Sequence, residues 1–175
     1  MPRLPEIFNR DELPEGKRWV HDYLMQTRKK ISNGYAPFLH CPEYVARVAQ
    51  LGTYIRYESS LPQEAYELLA LTTSVERDNP YEAENHARYT AEMGIERATI
   101  DAVCNKGRLE DVNENHALYI RCAREMMREH RLSDASFDAA RQRLGDCGVI
   151  DLIGTIGYYA MLACLHNGMQ VRGPA

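Results

Sequence analysis

Three residues in the middle of the chain have the types and spacing for proton chemistry: Glu67, Glu82 and His86. Glu82 and His86 are four residues apart, so on a helix they share one face. The preceding Asn79-Pro80 reads as an N-cap followed by a first-turn proline. Glu82 then sits in the first turn, where free N–H groups and the helix dipole favour a charged carboxylate. A carboxylate beside an imidazole raises its pKa and orients the ring, and such a pair can move a proton near neutral pH. Glu67 belongs to the preceding helix and would reach His86 if the two helices are antiparallel. The same residues also have a plainer reading. Glu82 is what a capping box wants at its third position, and Glu–His pairs at this spacing are common on exposed helix surfaces. A Glu/Glu/His set can bind a divalent ion, but a second His at helical spacing is missing, so no metal is expected.

The elements that must position these residues read as helices. Three prolines in residues 1–14 suggest an extended arm. A helix is expected from about Glu15 to Ser32, with Trp19, Tyr23 and Leu24 on one face and Asn33-Gly34 as a left-handed C-cap. Pro42 suits the start of the next helix, which runs to about Tyr57 with Val45, Val48, Ala49, Leu51 and Ile55 as its apolar set. Ser60-Leu61-Pro62-Gln63 has the form of a capping box before a helix holding Tyr66, Leu69, Ala70 and Thr73. The helix opened by Asn79-Pro80 ends at Gly94, and shorter and longer helices follow over about 96–105 and 112–130. Ser133 caps another that ends near Gly145, and 149–167 is apolar nearly all round, as in a buried or interface helix. No sustained two-residue alternation, hairpin signal or fixed-period repeat is present. The expectation is an all-α bundle of about eight helices.

Composition narrows the function classes. A chain of 175 residues fits one domain with a real core. With a net charge of −4 and only Arg28-Lys29-Lys30 as a basic block, nucleic acid and anionic membrane are not expected partners; the triplet reads as a solvated helix end. The five cysteines, Cys41, Cys104, Cys122, Cys147 and Cys164, form no CxxC pair, and most are expected to be small buried hydrophobes. The first residues lack an apolar signal region, and no run of 18 purely apolar residues occurs, so a cytoplasmic protein is expected.

Glu67-Leu68-Leu69, followed about 14 residues later by Tyr81-Glu82-Ala83-Glu84-Asn85-His86, resembles the carboxymuconolactone decarboxylase family, with its (R)EL turn and YEW..H turn. Ser133-x-x-Ser136-Phe137, the run Gly148 to Ile153, Gly157-Tyr158-Tyr159 and Asn167 are similar to the family's closing part, so the resemblance covers roughly residues 35–171. It implies an AhpD-like helical domain over 35–175, preceded by an N-terminal arm and first helix over 1–34. AhpD-like alkylhydroperoxidases of the same fold use a Glu, a CxxC pair and a His. Aligned on His86, their thiols fall at Asn79 and Glu82 and their Glu at Glu67, so this chain resembles a branch without CxxC. A dithiol peroxidase needs both thiols, and Cys104 and Cys122 lie outside the motif as expected core residues.

Decarboxylase members remove CO₂ from γ-carboxymuconolactone without a cofactor. By resemblance His86 is the proton donor or oxyanion partner, Glu82 sets its charge, and Glu67 orients or relays. Arg56 would anchor a substrate carboxylate, or is a surface arginine; Tyr81 would supply a hydroxyl, or is a packed ring. The resemblance further implies a small carboxylated substrate, no cofactor and a homotrimer or homohexamer. The rival expectations are an AhpD-like peroxidase or antioxidant protein, and a non-catalytic helical oligomer with a decayed site.

Overall fold

The computed structural model describes residues 2–171, so Met1 and 172–175, the outermost residues of the two expected segments, lie outside it. Among the described residues there are seven α-helices and no strand. They are α1 (Arg18–Arg28), α2 (Pro42–Thr53), α3 (Gln63–Glu76), α4 (Pro80–Glu92), α5 (Arg97–Cys104), α6 (Glu114–Arg128) and α7 (Asp134–Met169). Short 3-10 turns at Arg10–Glu12, Glu15–Lys17 and Ala36–His40 shape the N-terminal third, and a π-turn at Tyr54–Glu58 extends α2.

The two C-terminal segments expected as separate helices form one run, α7, broken at Gly145, where φ is 72° and ψ 177°. That backbone is open only to glycine, so the helix changes direction without a connecting loop. Ser133 caps it as expected, its hydroxyl accepting from the Ser136 N–H at 3.2 Å.

The element buried on every side is α3 rather than α7. Residues 65–74 are all buried, with α4, α6 and α7 packed around them. In α7 an outward stripe remains, with Cys147, Gly154, Gly157 and Cys164 exposed and Ile150 71% exposed. By length and apolarity α7 could cross a membrane, yet 56% of its apolar window is buried inside the protein, as in a core helix.

Other local expectations give way to packing. Helix α1 ends at Arg28, with Lys29 left-handed at φ 64°, not at Gly34. Gly34 serves close approach instead, because a Cβ there would meet the Tyr81 ring at 2.7 Å. Trp19 and Leu51 are nearly half exposed, while Val20 and Leu24 carry the inner face of α1. Neither Ser60 nor Gln63 caps α3: the Ser60 N–H and hydroxyl both donate to Asp151, at 2.8 and 2.7 Å, and Gln63 donates to Glu67. The Tyr54 hydroxyl also donates to Asp151, at 2.9 Å, so this buried carboxylate ties α7 to the π-turn. Of the cysteines only Cys122 is buried; Cys41, Cys104, Cys147 and Cys164 are exposed, contrary to the expectation of mostly buried thiols.

The N-terminal residues join the main body. Ile7 and Leu13 are buried with Val20, Leu24, Phe38, Leu39 and Val45. The Ile7 N–H donates to the Ala36 carbonyl, and the Arg3 N–H to that of Met169.

Candidate functional site

The antiparallel condition on Glu67 is met by a tight reversal. Asp78 adopts a left-handed φ of 49°, and the Asn79 N–H donates back to the Ser74 carbonyl at 2.8 Å. Helices α3 and α4 then pack along each other, and Glu67 meets His86 across the seam: Nδ1 of His86 lies 2.5 Å from Oε2 of Glu67. On the other side of the ring, Nε2 lies 3.5 Å from Oε2 of Glu82. Both Glu67 and His86 are 2% exposed. Burial alone would push His86 down, but the two flanking carboxylates outweigh it and hold the imidazole above its usual pKa. Burial likewise opposes charge on Glu82, and the neighbouring imidazole overrides that and lowers its pKa. Nδ1–H is directed at Glu67, and the two flanking carboxylates favour the imidazolium form of the ring.

A fourth member lies outside the sequence expectation. His166 of α7 places Nδ1 3.8 Å from Oε1 of Glu82. Its Nδ1 is 3.2 Å from the Asn79 amide nitrogen and its Nε2 3.3 Å from the Gly34 carbonyl. Those partners assign a neutral ring that accepts from Asn79 and donates to Gly34. Burial pushes its pKa below the usual value. Asn79 thus uses its side chain on His166 and makes no side-chain cap of α4, and the Glu82 carboxylate faces the two imidazoles. The capping signature predicts the helix start correctly and the task of these side chains wrongly.

The Glu82 side opens into a cavity of about 340 Å³. Arg56 lines it, projecting from the π-turn with its guanidinium 5.2 Å from the Tyr89 ring and 6.0 Å from that of Tyr66. Tyr81 lines it as well, its buried ring edge-on to His166 at 4.9 Å. Arg28, read from sequence as part of a solvated helix end, also reaches this cavity, because the chain turns at Lys29 and Nη2 donates to the Ala49 carbonyl at 2.8 Å. Lys30 and Arg88 add two more cations. Among the described residues neither Arg28 nor Arg56 has a carboxylate partner within 4.0 Å, whereas Arg88 pairs with Glu92. Seven tyrosines line the walls: Tyr35, Tyr57, Tyr66, Tyr81, Tyr89, Tyr158 and Tyr159.

No cysteine lines the cavity. Cys122, the buried thiol, lies in the core with its pKa pushed up to about 11 by desolvation. Among the described residues no group of three or more His, Cys, Asp or Glu side chains is placed to hold a metal ion.

Sequence reasoning missed His166, Arg28, and the pairing of Tyr66 with Tyr159. One signal was available. Tyr159, Leu162 and His166 recur at the three- and four-residue steps of one helix face, so a histidine in an apolar helix was aligned with a named tyrosine.

Residues 42–108 match the carboxymuconolactone decarboxylase family model. This segment holds Arg56, Glu67, Tyr81, Glu82 and His86, and leaves out Arg28, Tyr159 and His166. Comparison with curated protein sequences gives no match. The fold is similar to the crystal structure of an alkylhydroperoxidase AhpD core, an uncharacterized peroxidase-related protein from Ralstonia eutropha JMP134. The TM-score is 0.80 at 16% identity, covering 99% of this chain and 92% of that one. An uncharacterized peroxidase-related protein from Silicibacter sp. TM1040 gives 0.78 at 15% identity, covering 99% and 94%. A variant of the debrominase Bmp8, in complex with 2,3,4-tribromopyrrole, gives 0.73 at 16% identity, covering 100% and 94%. These likenesses establish an AhpD-like fold.

Proposed function

Since residues 42–108 carry the carboxymuconolactone decarboxylase segment on an AhpD-like fold, we propose that this protein is a proton-transfer enzyme for a small carboxylated lactone or ring acid. Decarboxylation is the favoured reaction. The observation that carries this reading is the buried row Glu67–His86–Glu82 beside a cavity with four cationic side chains. Arg28 and Arg56 provide unpaired guanidinium groups for substrate carboxylates.

In the proposed step the bond to the departing carboxylate breaks and CO₂ leaves. Its electron pair moves into the conjugated carbonyl, giving an enolate. Nε2–H of His86 protonates carbon, and the ring keeps its Nδ1–H toward Glu67. Solvent then restores the imidazolium, which Glu82 stabilises. The chain's own groups suffice for this: binding, charge stabilisation and one proton.

A peroxidase reading is favoured by the names of the fold relatives, but it requires a thiolate, and no cysteine reaches the cavity. A decayed site would leave Glu82 and His86 exposed; instead His86 is buried and Glu82 only 14% exposed in its side chain. We also propose that the chain assembles with copies of itself through the outward stripe of α7.

The test compares wild type with His86→Gln on γ-carboxymuconolactone and related carboxylated lactones, reading CO₂ release and lactone absorbance. Glutamine can still donate to Glu67 but cannot carry the proton. The expected result is turnover by wild type that the variant loses by roughly 10²-fold or more. Absence of turnover on every carboxylated lactone and ring acid would overturn the proposal.

A further inference from the structure

Tyr66 and Tyr159 meet at the cavity wall with their hydroxyl oxygens 2.5 Å apart. Both side chains are more than nine-tenths buried, at 3% and 4% exposure. Two phenols carry two O–H protons, and one bond between them uses one donor. Neither hydroxyl has another hydrogen-bond partner among the described residues, so one buried O–H remains without an acceptor. Leaving a buried donor unmade is costly, and this one borders the cavity rather than the packed core. Burial pushes both phenols above their usual pKa, so they remain donors at neutral pH.

Their surroundings specify what fits. The Arg56 guanidinium lies 6.0 Å from the Tyr66 ring and favours negative charge there. The His86 ring stands edge-on to Tyr159 at 4.8 Å and to Tyr66 at 5.8 Å. An oxygen bound at the hydroxyl pair therefore belongs to a molecule whose adjoining atoms face the imidazole. The rings of Tyr66, Tyr89 and Tyr159 provide flat apolar contact for a planar conjugated ligand.

We propose that the Tyr66–Tyr159 hydroxyl pair is a preformed oxyanion site that binds the enolate or phenolate oxygen of a planar conjugated ligand. Resting on the reaction proposed above, the pair receives the carbonyl oxygen as it gains charge, while His86 supplies the proton to carbon. One spare O–H donates to the oxyanion, and the second phenol reinforces it through the short bond between the hydroxyls.

The probe is 4-nitrophenol, whose phenol and phenolate forms absorb at different wavelengths. Titration of wild type should show the phenolate form bound, with the bound ligand ionising at lower pH than the free one. Tyr66→Phe and Tyr159→Phe keep the rings and remove one hydroxyl each. Each should weaken phenolate binding by about 10-fold or more, the range for a hydrogen bond to a charged group. Tyr119→Phe, in the core away from the cavity, should bind as wild type does. Binding of the neutral phenol, absence of binding, or wild-type affinity in both cavity variants would overturn the oxyanion site even if lactones are turned over. Tyrosine-dependent phenolate binding without turnover of any lactone would uphold it and defeat only the proposed reaction.

Discussion

His86 is buried between two carboxylates, and its charge state is the quantity most open to measurement. Its pKa is raised above 6.5, whereas that of Glu82 is lowered below 4.5. If the imidazolium is the proton donor, kcat/KM should hold through pH 6.5 and fall on the alkaline side, where His86 loses its proton. The acid limb should come only below pH 4.5, where Glu82 becomes neutral. A pH–rate profile whose alkaline limb centres at or below 6.5 would contradict the pairing. Stability follows the same sign. A raised folded-state pKa contributes stability in full below the unfolded value of about 6.5, and that contribution disappears as pH rises through the folded value. Denaturant unfolding at several pH values should show this loss in wild type and not in His86→Gln.

At the scale of elements, the kink in α7 and the reversal before α4 do most of the positioning. Gly145 occupies a backbone region that other residues avoid, although a Cβ there would meet no atom within 4 Å. Gly145→Ala should therefore cost about 1–3 kcal/mol through backbone strain alone. Urea unfolding would measure it; an unchanged midpoint would mean that the kink relaxes without cost. Helix starts were legible in the sequence where proline or serine fixes them locally, as at Pro42, Pro80 and Ser133. The Glu82–His86 pair was legible for the same reason, since its four-residue spacing lies within one helix. Glu67 needed a tertiary condition, antiparallel packing of α3 on α4, to join it. Arg28, His166 and the Tyr66–Tyr159 pair come together only through contacts spanning much of the chain, as with the two tyrosines, 93 positions apart. The errors share that origin. Ser60 and Asn79 have the right types to cap a helix locally, but Asp151 and His166 claim their side chains from a distance.

For the molecule as a whole, the outward stripe of α7 sets the expected assembly. Ile150 is 71% exposed beside further apolar and small residues, an arrangement that suits burial against another copy. Ile150→Glu should leave the fold intact, since isolated surface substitutions usually change stability by less than about 0.5 kcal/mol. It should nevertheless reduce the mass measured by light scattering after size-exclusion chromatography. A wild-type monomer, or an oligomer indifferent to the substitution, would show that this face stays open to solvent.

The cavity draws its walls from three separated stretches: Arg28 to Tyr35, Gly52 to Tyr89, and Tyr158 to His166. No one of them encloses it. The middle stretch carries His86 and both carboxylates, yet its neighbours supply half of the tyrosine pair, the second histidine and one of the unpaired guanidiniums. A nascent chain that has made only its first half therefore has no enclosed cavity. On the proposed reaction, chemical competence arrives only when the last helix docks, so catalysis would report that the whole chain has reached its folded state.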